Sequence, residues 1–326
     1  MATFLYSALH FLVDFACAHA MYRSFSAGAA AYGYILIYNF CAFALQMPLG
    51  ALIDTIAHRF RRLPAVFAAV GVVLTLLGAV THPAILGLGN AMFHVGGGIG
   101  VIREDDHRRW HGTALGVFVA PGALGLFLGA QLASVDIILL IGAAMFLLVL
   151  PLFRLPEAEA KALAPSKAST IPLLCCFLVV VLRSYVGMAV VFSWKSGFWL
   201  SLAAVCAVVL GKMAGGFCSA RFGVKQTSLY SLMAAAGCYL WSEIPVMGML
   251  ALFFFNMTMP ITLYQLVKRH SDLPGFCFGL LTFGLFLGFL PVYFHLALPV
   301  SGSVLGCMGS AVSLLLLLPV VWRTKE

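Results

Sequence analysis

Residues 154–170, RLPEAEAKALAPSKAST, form the longest hydrophilic stretch in this chain. They carry Arg154, Glu157, Glu159, Lys161, Lys167, Pro156 and Pro165, and they divide the 326 residues nearly in half. Working outward from this stretch, apolar segments lie before it near 3–22, 28–53, 64–81, 84–102, 112–133 and 136–153. Six more follow near 171–192, 197–219, 227–242, 246–267, 275–296 and 302–322. A helix needs roughly 20 apolar residues to cross the hydrocarbon core of a bilayer. The runs are too long for barrel strands and do not alternate, so each predicts a helix. The expected fold is an all-α polytopic membrane protein. Its twelve transmembrane helices form two pseudo-symmetric six-helix bundles, 1–153 and 171–326, with 154–170 as a cytoplasmic linker.

Composition points the same way. Hydrophobic residues make up 63% of the chain and charged residues 9%, with a mean hydropathy of +1.05. An ordinary soluble domain is about 25% charged. Too much apolar surface would face water in a soluble fold of this size, so soluble enzymes, nucleic-acid binders and disordered proteins are excluded. The net charge of +8 reads as topology rather than as a nucleic-acid footprint. With both termini cytoplasmic, 15 Lys and Arg fall in inside loops, from the Arg59–Arg62 cluster to Arg323 and Lys325; Arg23 and Lys195 fall outside. That asymmetry supports the orientation. Residues 1–22 lack a basic leading region and contain His10 and Asp14, so they read as the first span rather than a cleaved signal. The nine cysteines sit within apolar runs and form no metal-type CxxC pair, so they read as small buried hydrophobes.

The two halves echo each other. After the second span comes Gly50-Ala-Leu-Ile-Asp54, then His58, Arg59, Arg61 and Arg62; after the eighth comes Gly215-Gly216, then Arg221, Gly223 and Lys225. A matching junction in each half is what an internally duplicated transporter shows. Gly50, Asp54 and the Arg59–Arg62 cluster resemble the loop signature of the major facilitator superfamily, with Arg221 and Gly223 as the partial echo. Leu9-His10-Phe11-Leu12-Val13-Asp14, Gln46-Met-Pro48-Leu-Gly50, Phe93-His94 and Leu182-Arg183-Ser184-Tyr185 resemble the fosmidomycin-resistance-like branch of that superfamily. The resemblance implies an integral protein of a bacterial inner membrane, working as a monomer, that exports a small solute in exchange for protons. It also implies conformational roles for Gly50, Asp54, Arg59, Arg62 and Arg221. Ala120-Pro121 with Gly116, Gly125 and Gly129 partly matches the span-five motif of antiporters.

Charge inside a span costs roughly 2.5–3.5 kcal/mol on insertion scales, so such residues need a partner or a wet cavity. Only Asp14, Arg183 and Lys212 of the charged residues lie within spans. His10 precedes Asp14 by one helical turn, so both point the same way, and an imidazole there can share a proton with the carboxylate. Asn90 and His94 repeat the same spacing in span four, followed by Gly96, Gly97 and Gly98, which permit either close helix approach or a local break. The planar fork of Arg183 suits the paired oxygens of a carboxylate, phosphate or phosphonate; its structural alternative is an ion pair with Asp14. Lys212, two turns from a helix end, either snorkels or lines the site. Pro260 predicts a kink beside Asn256 in span ten. Tyr32, Tyr34, Tyr38 and Asn39 in span two line a cavity or pack against lipid, and Tyr38 is the one carried forward. The charged run Glu104–Arg109 reads as a solvated loop, with a salt-bridge latch to Arg59–Arg62 as the alternative. The resemblance implies that spans one, four, seven and ten line a central cavity, which would gather His10, Asp14, His94, Arg183 and Asn256.

The function these residues support is secondary active transport of a small organic anion. Asp14 and His10 carry the proton; Arg183, His94, Asn90, Asn256, Tyr38 and Lys212 bind substrate. No catalytic residue, cofactor, resident metal or nucleic-acid partner is expected; beyond substrate and protons, the partner is the lipid bilayer. No P-loop appears, so ATP is not the energy source. One alternative is a divalent-metal transporter using His10, Asp14 and His94. Two lesser ones are an intramembrane enzyme, for which no nucleophile elbow or HExxH speaks, and a sensor with a transporter fold.

Overall fold

The computed structural model describes residues 1–56, 60–155, 170–296 and 298–322. Among them, every regular element is helical. In chain order the helices are α1 Ala2–Ser24, α2 Ala31–Ile56, α3 Leu63–Val80, α4 Pro83–Arg108, α5 Thr113–Gln131 and α6 Ile138–Arg154. They continue as α7 Thr170–Ala189, α8 Gly197–Phe222, α9 Val224–Leu240, α10 Pro245–Arg269, α11 Pro274–Tyr293 and α12 Gly302–Trp322. Ten of these described helices are long and apolar enough to cross a bilayer; α6 and the 17-residue α9 are shorter. The expected linker falls almost wholly on residues 156–169, outside the described residues, as do Ala57, His58 and Arg59.

The surface is apolar and the polar groups lie inside. Leu139 is 87% exposed, and Leu140, Leu147, Val191 and Trp199 are also exposed, while His10, Asp14, Asn90, His94 and Arg183 are buried. Lipid tails solvate the first set as well as a protein core does, and the second set cannot face them without cost. The chain is an integral membrane protein.

Packing divides the chain into two compact units. One comprises Met1–Arg109, Val117–Pro165 and His270–Phe283; the other comprises Trp110–Gly116, Ser166–Arg269 and Gly284–Glu326. The division therefore falls within α5 and α11 as well as between the halves of the sequence.

Among the described residues, α2, α5 and α10 are interrupted, each just ahead of a proline. Proline has no N–H for the carbonyl four residues back, so a regular turn there loses a hydrogen bond. In α2 a wide π-turn runs through Phe40–Ala44 ahead of Pro48. In α5 the helix breaks at Ala120, next to Pro121. In α10 it breaks at Met257, three residues before Pro260. By contrast α4 runs unbroken through Gly96–Gly98, so these glycines serve close approach and not a break. That helix also continues to Arg108, through the run expected to be a loop. Glu104 explains the difference: it accepts hydrogen bonds from Thr3 N at 2.7 Å and Thr3 Oγ1 at 2.6 Å, and pairs with Arg108 one turn on at 3.2 Å. Asp105 is buried rather than solvated.

Candidate functional site

In the first unit, α1, α2, α4 and α5 bring a polar cluster together. His10 and Asp14 lie one turn apart on α1, with His10 Nε2 3.2 Å from Asp14 Oδ2. From α4, His94 Nε2 lies 3.6 Å from Asp14 Oδ1, and Asn90 Nδ2 donates to the same oxygen at 3.0 Å. The two imidazole rings meet edge-on with centroids 4.4 Å apart. One atom each from His10, Asp14 and His94 falls within 4.8 Å of the others.

Each imidazole is held by a backbone carbonyl behind it. His10 Nδ1 lies 2.7 Å from Phe118 O, and His94 Nδ1 lies 2.8 Å from Asn90 O. A carbonyl oxygen only accepts, so both Nδ1 atoms carry hydrogen. When the rings are neutral, both Nε2 atoms are therefore acceptors, and both face a carboxylate. Acceptors facing acceptors in a buried site repel one another unless a cation lies between them. Added protons turn these contacts into charge-assisted Nε2–H to carboxylate hydrogen bonds.

The break in α5 builds part of this arrangement. Phe118 lies in the last turn before the break, where helical carbonyls lack intrahelical partners. Its carbonyl is thereby open to His10. Just past the break, a Cβ added at Gly122 would collide with His10 Nε2 and Asp14 Oδ2. One turn further, a Cβ at Gly125 would overlap the Phe11 carbonyl, so α1 and α5 approach at backbone distance. Gly122→Ala should therefore destabilise the fold by about 1–3 kcal/mol through overpacking, seen as a lower thermal midpoint in detergent.

Tyr38 joins this cluster: it is buried on α2 beside the Cys17 thiol, which also receives Asn90 Nδ2 at 3.5 Å. Tyr32 is exposed, and Tyr34 packs edge-on against His82. Cys17, Phe118 and Gly122 are members that sequence reasoning missed. The thiol looked like one more small hydrophobe, although it follows Asp14 by three residues on one helix face. A backbone carbonyl leaves no signal beyond Pro121, and Gly122 is one of 32 glycines.

The remaining candidates belong to the second unit. Arg183 sits in the middle of α7 and is 7% exposed. Its Nη1 is buried and has no hydrogen-bond partner among the described residues. Its neighbour Ser184 donates to Leu285 O at 2.7 Å. Asn256 is half-buried at the break in α10 and turns back on its own helix, donating to Leu252 O at 2.9 Å. Lys212 is half-buried on α8. Arg221 lies in the last turn of that helix.

Of the loop-motif residues, Arg62 immediately precedes α3, and Gly50 and Asp54 lie in the last turns of α2. Asp54 caps another helix: Oδ1 accepts from Gly275 N at 2.9 Å and Oδ2 from Phe276 N at 2.8 Å. Both N–H groups belong to the first turn of α11, where they lack helical acceptors and an anion is favoured. The sequence marks Asp54 as a junction residue but does not reveal this partner, 221 positions away.

The fold is that of major facilitator superfamily transporters. The chain superposes over its full length on all of the major facilitator superfamily transporter FucP, solved in the outward conformation, with a TM-score of 0.70 and 13% identity. A variant of the E. coli fucose:proton symporter FucP gives a TM-score of 0.69 and 14% identity, covering 99% of this chain and 98% of that one. No protein-family profile and no curated protein sequence matches the chain.

Proposed function

We propose that the protein is a proton-coupled secondary transporter that moves a small organic anion by alternating access. In this reading twelve spans form two six-helix halves, 1–153 and 171–326, around the linker 154–170, with both termini cytoplasmic. The setting is a bacterial inner membrane, the direction is efflux, and the branch is the fosmidomycin-resistance-like one. Asp14 with His10 takes and releases the proton. The substrate-binding residues of this reading are His94, Asn90 and Tyr38 in the first unit and Arg183, Asn256 and Lys212 in the second, with Arg183 taking the anionic group. Asp54, Gly50, Arg59, Arg62 and Arg221 serve the conformational change.

The observation that carries this reading is the meeting of His10, Asp14 and His94. Three acceptor atoms converge in an apolar interior, and the carbonyls of Phe118 and Asn90 aim both imidazoles at one carboxylate. That cluster is at rest with added protons and strained without them. Gain and loss of a proton therefore change its internal energy, which is what coupling to a proton gradient requires. Arg183 adds a buried guanidinium whose Nη1 has no hydrogen-bond partner among the described residues, and its planar fork suits the paired oxygens of a carboxylate, phosphate or phosphonate.

The direct test is a pH step across proteoliposomes loaded with a panel of carboxylates, phosphates and phosphonates, with neutral analogues alongside. Flux of at least one anion should follow the pH gradient. Folded protein that moves none of them, or moves one with no response to the gradient, defeats the proposal.

A further inference from the structure

We infer that His10, Asp14 and His94 form a binding site for a divalent transition-metal ion, of which Zn²⁺ is the representative. The inference uses the same triad as the proton-coupling reading but rests on ligand geometry, and its test involves no transport.

Two imidazole nitrogens and a carboxylate oxygen are a common three-residue zinc set, leaving a fourth position open. Ligand atoms around tetrahedral Zn²⁺ sit about 3.3 Å from one another at the usual bond lengths. His10 Nε2 and His94 Nε2 already lie 3.2 and 3.6 Å from the two Asp14 oxygens, and all three ligand groups fall within 4.8 Å. Small side-chain rotations close the remaining gap.

The surroundings match as well. A metal-bound histidine almost always donates its other ring N–H to a carbonyl or carboxylate, which sets the tautomer and aims the ligating nitrogen. Both histidines do this here, through Phe118 O and Asn90 O. Asn90 also steadies the carboxylate by donating to Asp14 Oδ1. Its own side-chain oxygen is buried, 1% exposed as a residue, and has no hydrogen-bond partner among the described residues. An unsatisfied acceptor in an apolar interior is unfavourable and gains from a nearby cation. Imidazole with carboxylate selects Zn²⁺ and its transition-metal neighbours over Mg²⁺ and Ca²⁺, which prefer all-oxygen sites. Two neutral imidazoles and one carboxylate leave a bound M²⁺ with one positive charge, so the open position favours an anionic fourth ligand.

The test is titration of the purified full-length protein in detergent with Zn²⁺ alone, at neutral pH, followed by X-ray absorption of the zinc complex. One tight zinc per chain with two imidazoles in its coordination shell is expected. His94→Gln and Asp14→Asn should each weaken binding at least about tenfold, while His82→Gln, at an exposed histidine, should leave it unchanged. Folded wild-type protein that binds no zinc, or a coordination shell with one imidazole or none, overturns the site. Absent zinc binding with intact proton-driven flux overturns this inference and leaves the transport reading standing; zinc binding without flux does the reverse.

Discussion

Replacing Arg183 by Leu is expected to reduce transport of an anionic substrate by at least about a hundredfold while raising the thermal midpoint of the protein. The two effects have one cause. Arg183 is a buried charge in the middle of α7, and its Nη1 has no hydrogen-bond partner among the described residues. On insertion scales Arg at a helix centre is unfavourable by roughly 2.5–3.5 kcal/mol and Leu is favourable by a few tenths, so the exchange gains about 3 kcal/mol of helix preference. A residue of purely structural value would lose stability on such a change. Arg183→Lys sharpens the result. It keeps the charge but loses the planar fork, so anion affinity should fall about tenfold and transport should survive in part. Counterflow of a labelled anion, with thermal unfolding in the same detergent, measures both. Normal transport by the Leu variant would show that no anion is held there.

Asp14→Asn should uncouple the protein rather than silence it. A one-unit pH step supports at most about a tenfold accumulation for each proton coupled, because 1.36 kcal/mol is a factor of ten. In the variant that accumulation should fall to equality across the membrane, while exchange of substrate without a gradient stays within about threefold of wild type. The asparagine keeps an oxygen to accept from Asn90 Nδ2, and its amide N–H groups can donate to His10 Nε2 or His94 Nε2. One imidazole is thereby satisfied without a proton, and the side chain at this position can no longer take one up or release it. Accumulation that still follows pH in this variant would remove Asp14 from the coupling step.

Much of the candidate site was legible before the structure, but as fragments. His10 with Asp14, and Asn90 with His94, stand four residues apart within apolar runs, and helical geometry alone puts each pair on one face. Nothing local says that the two pairs meet. Their meeting depends on α1 and α4 packing side by side, and on α5 pressing against α1 where Gly122 and Gly125 allow it. The partner of Asp54 was likewise hidden, because it consists of backbone N–H groups of a distant helix, which any residue type supplies. The run Glu104–Arg109 was misread for a related reason. Charge density suggested a loop, whereas a tertiary hydrogen bond to Thr3 and an ion pair one turn along keep it helical.

The sequence by itself determined that this chain lives in a bilayer and is helical. Both follow from composition and run length, since so much apolar surface must face lipid and a backbone in lipid must satisfy its own hydrogen bonds. It also determined which few polar residues the interior must accommodate. Only the tertiary structure decided what those residues do to one another. Carbonyls of Phe118 and Asn90 fix two ring tautomers, and the ligand atoms of His10, Asp14 and His94 then face inward together. Distances of a few ångströms between atoms on different helices set that chemistry, and the spacing of residues along a single chain does not encode them.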